Sequence, residues 1–410
     1  MLLVVTHRTN SHIRDVDETI FDYENVLTIR LHCGKDRVPT LLPDENNVKS
    51  LVVQHTPHQL GRLGTMLRAN TSIESIVFEV ERHINRSFIC ADKTFLGQLQ
   101  ELFLLHNTSI TTLCLDLHEG MLALLSPTFQ RANIHTLWVQ FRPSASDIEA
   151  LATALHNRTD ALENIDMDVD DIGLMAFLRP FTALNKLPKN VVFGTKRVRR
   201  HETTPFVITN SGWRLLGATL RCADCSIETL SISTEGSSQD ATVVMELLCH
   251  ALEKNITLTS INIPDISFGP TSMELLSKTL LNDESIAATY KSNHTLKSFG
   301  SHARRMLIEN SWYRIASLAE VHPTLHLSFT WNRIEYEGPI NNQAIAFKIL
   351  YAHFGANLSL QELQALPKQV RIAVALFFDK AVRIGLGEEA VETIRLDYYT
   401  RVLRDLWVSK

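Results

Sequence analysis

The sequence predicts an α/β repeat solenoid, in which parallel strands form one sheet and helices pack on its outer side. A six-residue apolar phrase recurs at intervals of about 30 residues. Apolar residues at helical spacing separate its copies. The chain has 410 residues, and a repeat architecture lets one hydrophobic core extend along an axis over such a length.

The repeated phrase is an apolar residue, two other residues, an apolar residue, one other residue and an apolar residue. Its clear copies are VLTIRL from Val26, VKSLVV from Val48, IESIVF from Ile73, ITTLCL from Ile110, IHTLWV from Ile134, LENIDM from Leu162, IETLSI from Ile227 and LTSINI from Leu258. A weaker copy starts at Leu296 and a degraded unit at Leu184. Because successive side chains of a strand point to opposite faces, each phrase predicts a strand with one buried face.

Between the phrases the apolar residues follow the period of an amphipathic helix. One example is the run Val244, Leu247, Leu248 and Leu252, which precedes the phrase at Leu258. Parallel neighbouring strands need a crossover connection, so strands and helices that alternate along the chain predict a parallel sheet with helices outside it.

The segments before three phrases share a further pattern: MLRANTSIESIVF, LLHNTSITTLCL and ALEKNITLTSINI. They resemble the ALxxNxTLxxLxL junction of ribonuclease-inhibitor-like leucine-rich repeats. The resemblance implies a leucine-rich-repeat horseshoe with its parallel sheet on the concave face, where family members usually bind proteins. Unit lengths vary, and the stretch from Leu184 to Ile227 hides a junction, so we predict an inserted loop over about residues 188–210.

Three regions are predicted: an N-terminal cap at 1–25, the solenoid at 26–302 and a C-terminal helical capping region at 303–410. From Ala303 onward the phrase is lost and the apolar pattern becomes helical. A solenoid needs a terminal unit that covers its last open core face, which favours a capping role for these helices. An additional role in docking a partner stays open.

Seven Asn-x-Ser/Thr triplets, a pattern that marks N-glycosylation in secreted proteins, occur in the chain. Four of them, at Asn70, Asn107, Asn255 and Asn293, begin three residues before a phrase. Asparagine favours turns and tolerates the left-handed conformation. We therefore predict that these residues turn the chain from helix into strand.

Composition favours a protein of the cytosol, with the nucleus as an alternative. Six cysteines are too few for a disulfide scaffold, which favours a reducing compartment. The first residues, MLLVVTHRTNSHIRD, form a poor signal peptide, and no apolar run approaches the roughly 20 residues that span a bilayer. The net charge of −5 argues against nucleic acid or anionic lipid held by bulk positive charge.

No motif in the sequence predicts catalysis, and we expect no enzyme activity, cofactor or metal site. The nucleotide loop GxxxxGK[ST] and the hydrolase motifs HExxH and GxSxG are absent. Cys222 and Cys225 form one CxxC without the four ligands of structural zinc. The aspartates from Asp166 onward begin a calcium-loop pattern, but Asp171 and Phe177 stand where such a loop needs glycine and glutamate.

The residues that alternate with the buried ones predict a partner-binding surface on the concave face. The predicted surface consists of Glu79, Glu81, Asp116, His118, Trp138, Gln140, Arg142, Asp166, Asp168 and Asp170. A tryptophan among carboxylates has the composition of a hot spot for a basic protein partner. The alternative is that these residues serve solubility and that a C-terminal segment covers Trp138. No small-molecule substrate and no membrane are implied.

Two further functions stay open at this point. Some ribonuclease-inhibitor-like repeat proteins activate small GTPases by binding and positioning them, although no residue here is assigned to that role. Contact with nucleic acid is the other, through one basic run made of Lys196, Arg197, Arg199, Arg200 and His201. Basic runs that lack interleaved aromatic residues are more often solvated loops.

Overall fold

The computed structural model divides the chain into two compact units, one of residues 1–219 and 224–238 and the other of residues 220–223 and 239–410. The structure describes residues 27–32, 48–54, 73–79, 109–115, 120–139, 143–181, 183–194, 208–233, 240–264, 266, 268–300, 342–353 and 360–374. The first unit carries most of the predicted strands.

The strands of the first unit form one parallel sheet in which each strand pairs with the next along the chain. The strands are β1 (Leu27–His32), β2 (Val48–Gln54), β3 (Ser75–Glu79), β4 (Thr112–Leu115), β5 (Thr136–Val139), β6 (Asn164–Met167), β7 (Asn190–Phe193) and β8 (Thr229–Ile232). The helices are α1 (Met121–Phe129), α2 (Ala145–His156), α3 (Asp171–Leu178) and α4 (Asn210–Leu220), whose last residue belongs to the second unit, with a 3₁₀ turn at Leu184–Lys186.

The second unit contains two parallel strands and a series of helices. The strands β9 (Ser260–Asn262) and β10 (Ser298–Phe299) pair with each other. The helices are α5 (Ala241–Leu252), α6 (Pro270–Leu280), α7 (Ile286–Lys291), α8 (Asn342–His353) and α9 (Leu360–Gln364), and residues 368–374 are also helical. Helix α5 packs on α6, and α8 packs on α7.

Burial alternates along β5 to β8 as the phrase predicts, whereas in β4 the residue between the two buried leucines, Cys114, is buried as well. In β5, Leu137 is 0% exposed and Val139 is 1% exposed, whereas Thr136 and Trp138 are half-buried. The strands β6, β7 and β8 have the same alternation. Each enclosed strand side chain contributes about 1.5–3 kcal/mol to folding. The predicted α/β class, with a parallel sheet and helices, is confirmed for the described residues.

The described helices between β4 and β7 pack on one face of this sheet, which is called here the buried face. Helices α1, α2 and α3 pack side by side, and their apolar residues are enclosed together with those of the strands. Helices on both faces would bury every strand residue. The half-buried residues therefore mark the other face, which is called here the open face.

The predicted inserted loop starts too early, because β7 lies inside residues 188–210. The strand belongs to the degraded unit and has the sequence PKNVVF from Pro188. Proline replaces the first apolar residue of the phrase, which hides the copy, but Val191 and Phe193 keep the alternation and are buried. Proline lacks an N–H and is tolerated here because it precedes the strand. Residues 195–207 lie outside the described residues.

Of the two predicted caps, residues 1–25 lie outside the described part of the chain. Within 303–410 the described residues are helical at α8, at α9 and at 368–374. The boundaries proposed for the three regions stay predictions.

At three described helix-to-strand junctions of the first unit, a side-chain donor connects the junction with the one before it. The Arg158 guanidinium donates to the carbonyls of Phe129 (2.6 Å), Ala132 (3.0 Å) and Ile134 (2.8 Å). One junction later, the Lys186 ammonium donates to the carbonyls of Arg158 (2.8 Å) and Thr159 (2.9 Å). At the next, the Ser226 hydroxyl donates to the carbonyls of Leu184 (3.0 Å) and Leu187 (2.5 Å).

Asparagine has this role in the second unit. Asn293 is 4% exposed, and its Nδ2 donates to the carbonyls of Leu252 (2.9 Å) and Asn255 (3.0 Å). Its Oδ1 accepts from the N–H groups of Thr295 (3.1 Å) and Leu296 (2.9 Å), where the chain turns toward β10. Asn255 makes the equivalent bonds one junction earlier. The predicted place of these two asparagines in the turn is confirmed, while Asn70 and Asn107 lie outside the described residues.

The substitution Asn293→Ala should lower the free energy of unfolding by about 2–4 kcal/mol, because it leaves buried carbonyl and N–H groups without partners. Urea unfolding followed by circular dichroism measures the change. The matched control is Asn157→Ala, at an exposed asparagine at the end of α2, which should change the value by less than about 0.5 kcal/mol. Equal effects of the two substitutions would contradict the structural role of Asn293.

Candidate functional site

A row of small polar residues crosses the open face of the first unit at the start of the strands, and we call it the polar row. It consists of Thr28, Ser50, Ser75, Thr112, Thr136, Asn164, Asn190 and Thr229, which are register partners in successive strand pairs. From Ser75 to Thr229 its members are half-buried. Neighbouring strands are about 4.8 Å apart, so the side chains from Ser75 to Thr229 form a continuous surface.

Side chains of the polar row bond to one another. Asn190 Nδ2 donates to Asn164 Oδ1 at 2.8 Å, and Asn164 Nδ2 donates to Thr136 Oγ1 at 2.8 Å. Each bond uses one of the two N–H groups of an amide. The same phrase position in the second unit behaves alike, because Ser298 Oγ donates to Ser260 Oγ at 2.8 Å.

Sequence reasoning missed the polar row, although the signal is present in the phrase. The third position is Ser, Thr or Asn in every phrase copy quoted above. The apolar positions of the phrase predict the fold and the charged positions suggest a partner, whereas the third position is neither apolar nor charged. A position that is invariably small and polar beside a strand predicts a ladder of hydrogen bonds across the sheet.

A second row lies beside the polar row, two residues further along each strand, and we call it the central row. In β4 to β8 it consists of Cys114, which is fully buried, and of the half-buried Trp138, Asp166, Val192 and Ser231. Trp138 and Asp166 are direct register partners in β5 and β6, and both are half-buried. The structure therefore brings together two of the residues predicted to bind a partner.

Two of the predicted surface residues have other positions. Asp168 is only 8% exposed, so its place on the concave surface is wrong. Asp170 forms the N-cap of α3, where its Oδ1 accepts from the N–H of Gly173 at 2.9 Å. The reason is that β6 ends at Met167, so the period of two does not continue to these residues.

The other members of the predicted surface are not tested by the structure. Glu79 is the last residue of β3, where its backbone pairs with Gln54. The rest lie outside the described residues: Glu81, Asp116, His118, Gln140 and Arg142. The basic run Lys196, Arg197, Arg199 and Arg200 also lies outside them. Asp166 is the one carboxylate among the central-row residues of β4 to β8, so the acidic character predicted for the surface stays a prediction.

Carboxylates beyond the strand ends hold helix N-termini. Asp147 is fully buried, and its carboxylate accepts from the N–H groups of Gly120 (2.8 Å), Ala123 (2.8 Å) and Ser144 (3.3 Å). Asp171 accepts from the N–H of Thr209 at 2.8 Å and from its hydroxyl. These negative groups satisfy N–H groups at the positive ends of helices, so they explain part of the local acidity by structure.

The described cysteines are free thiols. Cys114, Cys225 and Cys249 are buried, and Cys222 is exposed. Burial raises the pKa of Cys249 to about 11, while a hydrogen bond with Thr279 lowers it and the charge of Glu253 raises it. Within the described residues, no group of three or more His, Cys, Asp and Glu side chains could hold a metal ion.

No protein-family model matches the chain, and the search of curated proteins gave no significant match. Among the described helices, none is long and apolar enough to cross a membrane.

Iodoacetamide at pH 8 should alkylate Cys222 at least tenfold faster than Cys249. The reactive species is the thiolate, and a thiol with a pKa of about 11 is almost fully protonated at that pH. Raising the pH from 8 to 10 should speed the reaction of Cys249 steeply, because its thiolate fraction grows about tenfold per unit below the pKa. Peptide mass spectrometry measures both rates, and equal rates in the native protein would contradict the burial of Cys249.

Proposed function

We propose that the chain is a non-catalytic interaction protein that binds a basic segment of another protein on the open face of its sheet. The observation that carries the proposal is the pairing of Trp138 with Asp166 in the central row, directly beside the polar row. An aromatic anchor, a carboxylate and a surface of neutral donors and acceptors are thus contiguous. Interfaces concentrate their binding energy in such anchors.

The pair Trp138 and Asp166 suits the side chain of lysine or arginine. A cation that lies on the face of an indole is attracted by the ring, with a gain of about 0.5–2 kcal/mol. A neighbouring carboxylate adds attraction to the same cation and speeds the encounter at low salt. A partner side chain that lies along Trp138 would bring its charged group toward Asp166.

The polar row supplies the second part of the surface. Its bonds along the sheet fix the amides of Asn164 and Asn190 in place. Each amide has a second N–H beyond the one used in the row. Groups that are held before binding lose little conformational freedom when a partner arrives. We propose that an extended segment of the partner makes hydrogen bonds to this row.

The finer fold assignment is also a proposal: the chain is a leucine-rich-repeat horseshoe of the ribonuclease-inhibitor-like type, with the open face as its concave side. Parallel strands in chain order, helices on one face and bonded asparagines before β9 and β10 support it. The free thiols of the described cysteines are consistent with a reducing compartment, and we propose the cytosol or the nucleus.

Binding to immobilised extended peptides tests the function. Peptides rich in Lys and Arg should bind, and the same peptides with Glu should not. The substitution Trp138→Ala should weaken binding at least tenfold, and Asp166→Asn should weaken it about threefold to tenfold at low salt, with a smaller effect at high salt.

Met175→Ala is the matched control, because Met175 is a large apolar residue that is 54% exposed on α3. It should leave binding unchanged. Preference for the acidic peptides, or equal binding of all three variants and the unchanged chain, would reject the proposed surface. Circular dichroism of each variant confirms that the fold is retained.

A further inference from the structure

A fully enclosed lysine holds helix α8 on the second unit. Lys348 is 0% exposed, and its Nζ donates to the carbonyls of Leu280 (2.7 Å) and Asn293 (2.9 Å). Leu280 is the last residue of α6, and Asn293 lies in the junction before β10. Lys348 therefore does for the last described junction what Asn293 does for the one before it, although it comes from a helix that is distant in sequence.

Two histidines lie at the same contact between α8 and the rest of the second unit, which is called here the seat of α8. His353, on α8 as well, is 8% exposed, and its Nε2 is 2.9 Å from Thr289 Oγ1 on α7. His294 is half-buried as a residue, and its Nε2 donates to the carbonyl of Tyr290 at 3.1 Å. Its Nδ1 is buried and has no hydrogen-bond partner within the described residues.

Charged groups on the surrounding elements do not neutralise this seat. The exposed ones on α6, α7, α9 and their connections are Glu274, Lys278, Asp283, Glu284, Lys291 and Glu362. Tyr290 and Lys297 are half-buried. Among the described residues, no ion pair involves Lys348 or His294, and Lys278 pairs with Glu274 on the surface. A proton on either group would thus be an uncompensated buried charge.

Burial lowers the pKa of Lys348 well below its ordinary value. Burial is the larger cause that lowers the pKa of His294, and a positive charge on the nearby Lys348 is the second, so the two groups disfavour being protonated together; hydrogen bonds with the carbonyls of Tyr290 and Thr289 oppose the shift. A cation at the end of α6 is favoured by the helix dipole by a factor of at most about 30. Full burial disfavours the charge by factors of about 10³ to 10⁵, so burial decides the balance.

The chemistry of the amine agrees with this balance. An uncharged amine has two N–H groups, and two carbonyls accept from Lys348. An ammonium group has a third N–H, which would need a third acceptor in an enclosed site.

We propose that the contact between α8 and the rest of the second unit is pH-sensitive. Helix α8 stays docked while Lys348 and His294 are uncharged, and it dissociates from this contact as acidification protonates them. The function inferred for the open face is not required for this pH dependence.

The direction follows from proton counting. Docked α8 binds fewer protons than undocked α8 at every pH between the lowered pKa of a group and its ordinary pKa. In that window the docking equilibrium falls about tenfold for each unit of pH decrease and for each group. For Lys348 the window extends downward from about 10.5, and for His294 it adds a second proton below about 6.5.

Hydrogen exchange of the full chain between pH 5.5 and 9, corrected for the intrinsic rate, tests this pH dependence. The protection of the 342–353 amides should fall as the pH is lowered from 9, and more steeply below about 6.5, where His294 adds a second proton. Lys348→Met should abolish the slope above pH 6.5, because it keeps an apolar side chain in the seat and has no proton to bind. Lys348→Arg should leave α8 unprotected at every pH, because arginine stays charged.

Lys278→Met is the matched control at an exposed lysine of α6, and it should keep the slope of the unchanged protein. The β5 amides at 136–139 report whether each variant folds. If Lys348→Met proves unable to hold α8, His294→Asn provides the second test: the acid limb should vanish while the slope above pH 6.5 remains. Protection that is independent of pH in the unchanged protein, or an unaltered slope in Lys348→Met, would overturn the proposal.

Discussion

Buried backbone carbonyls at the helix-to-strand junctions are the constraint on which the rest of this structure depends. Where a helix ends beneath the sheet, its last carbonyls have no partner within the helix and no water to replace one. Leaving such a group unsatisfied costs about 1–3 kcal/mol. The chain supplies a different donor at successive junctions: Arg158, Lys186, Ser226, Asn255, Asn293 and Lys348. Because each donor reaches the preceding junction within its unit, neighbouring repeats stabilise each other.

The fold class could be predicted from the sequence because its apolar residues follow two clear periods, one of strands and one of helices. The period of two in each phrase determines which strand residues are enclosed, as Leu137 and Val139 illustrate. The helical period between phrases requires crossover connections and hence parallel strands. The position of the asparagines in the turns before β9 and β10 was also predictable, because asparagine favours turns. Which carbonyls they bind was not, because that depends on the packing of one junction against another.

The surface was harder to predict because side chains alternate between the two faces of a sheet only within a strand, and the strand ends were not known from the sequence. Asp168 and Asp170 would lie on the open face only if the strand were longer, but β6 has four residues. Beyond its end Asp168 is buried and Asp170 caps helix α3. Pro188 concealed a strand for a related reason: the phrase tolerates proline where no sheet N–H is needed. The polar row was overlooked because serine, threonine and asparagine carry neither the apolar signal nor the charge signal.

The enclosure of Lys348 has a consequence for the covalent chemistry of the protein. Enzymes and reagents that acylate lysine need access to Nζ, and in the docked form that atom is surrounded on all sides. Acylation there would thus occur only in molecules whose α8 had departed. An acylated nitrogen has a single N–H for two carbonyls and a bulkier end, so the modified helix could not return to its place. Acylation during a transient undocking would therefore keep α8 undocked.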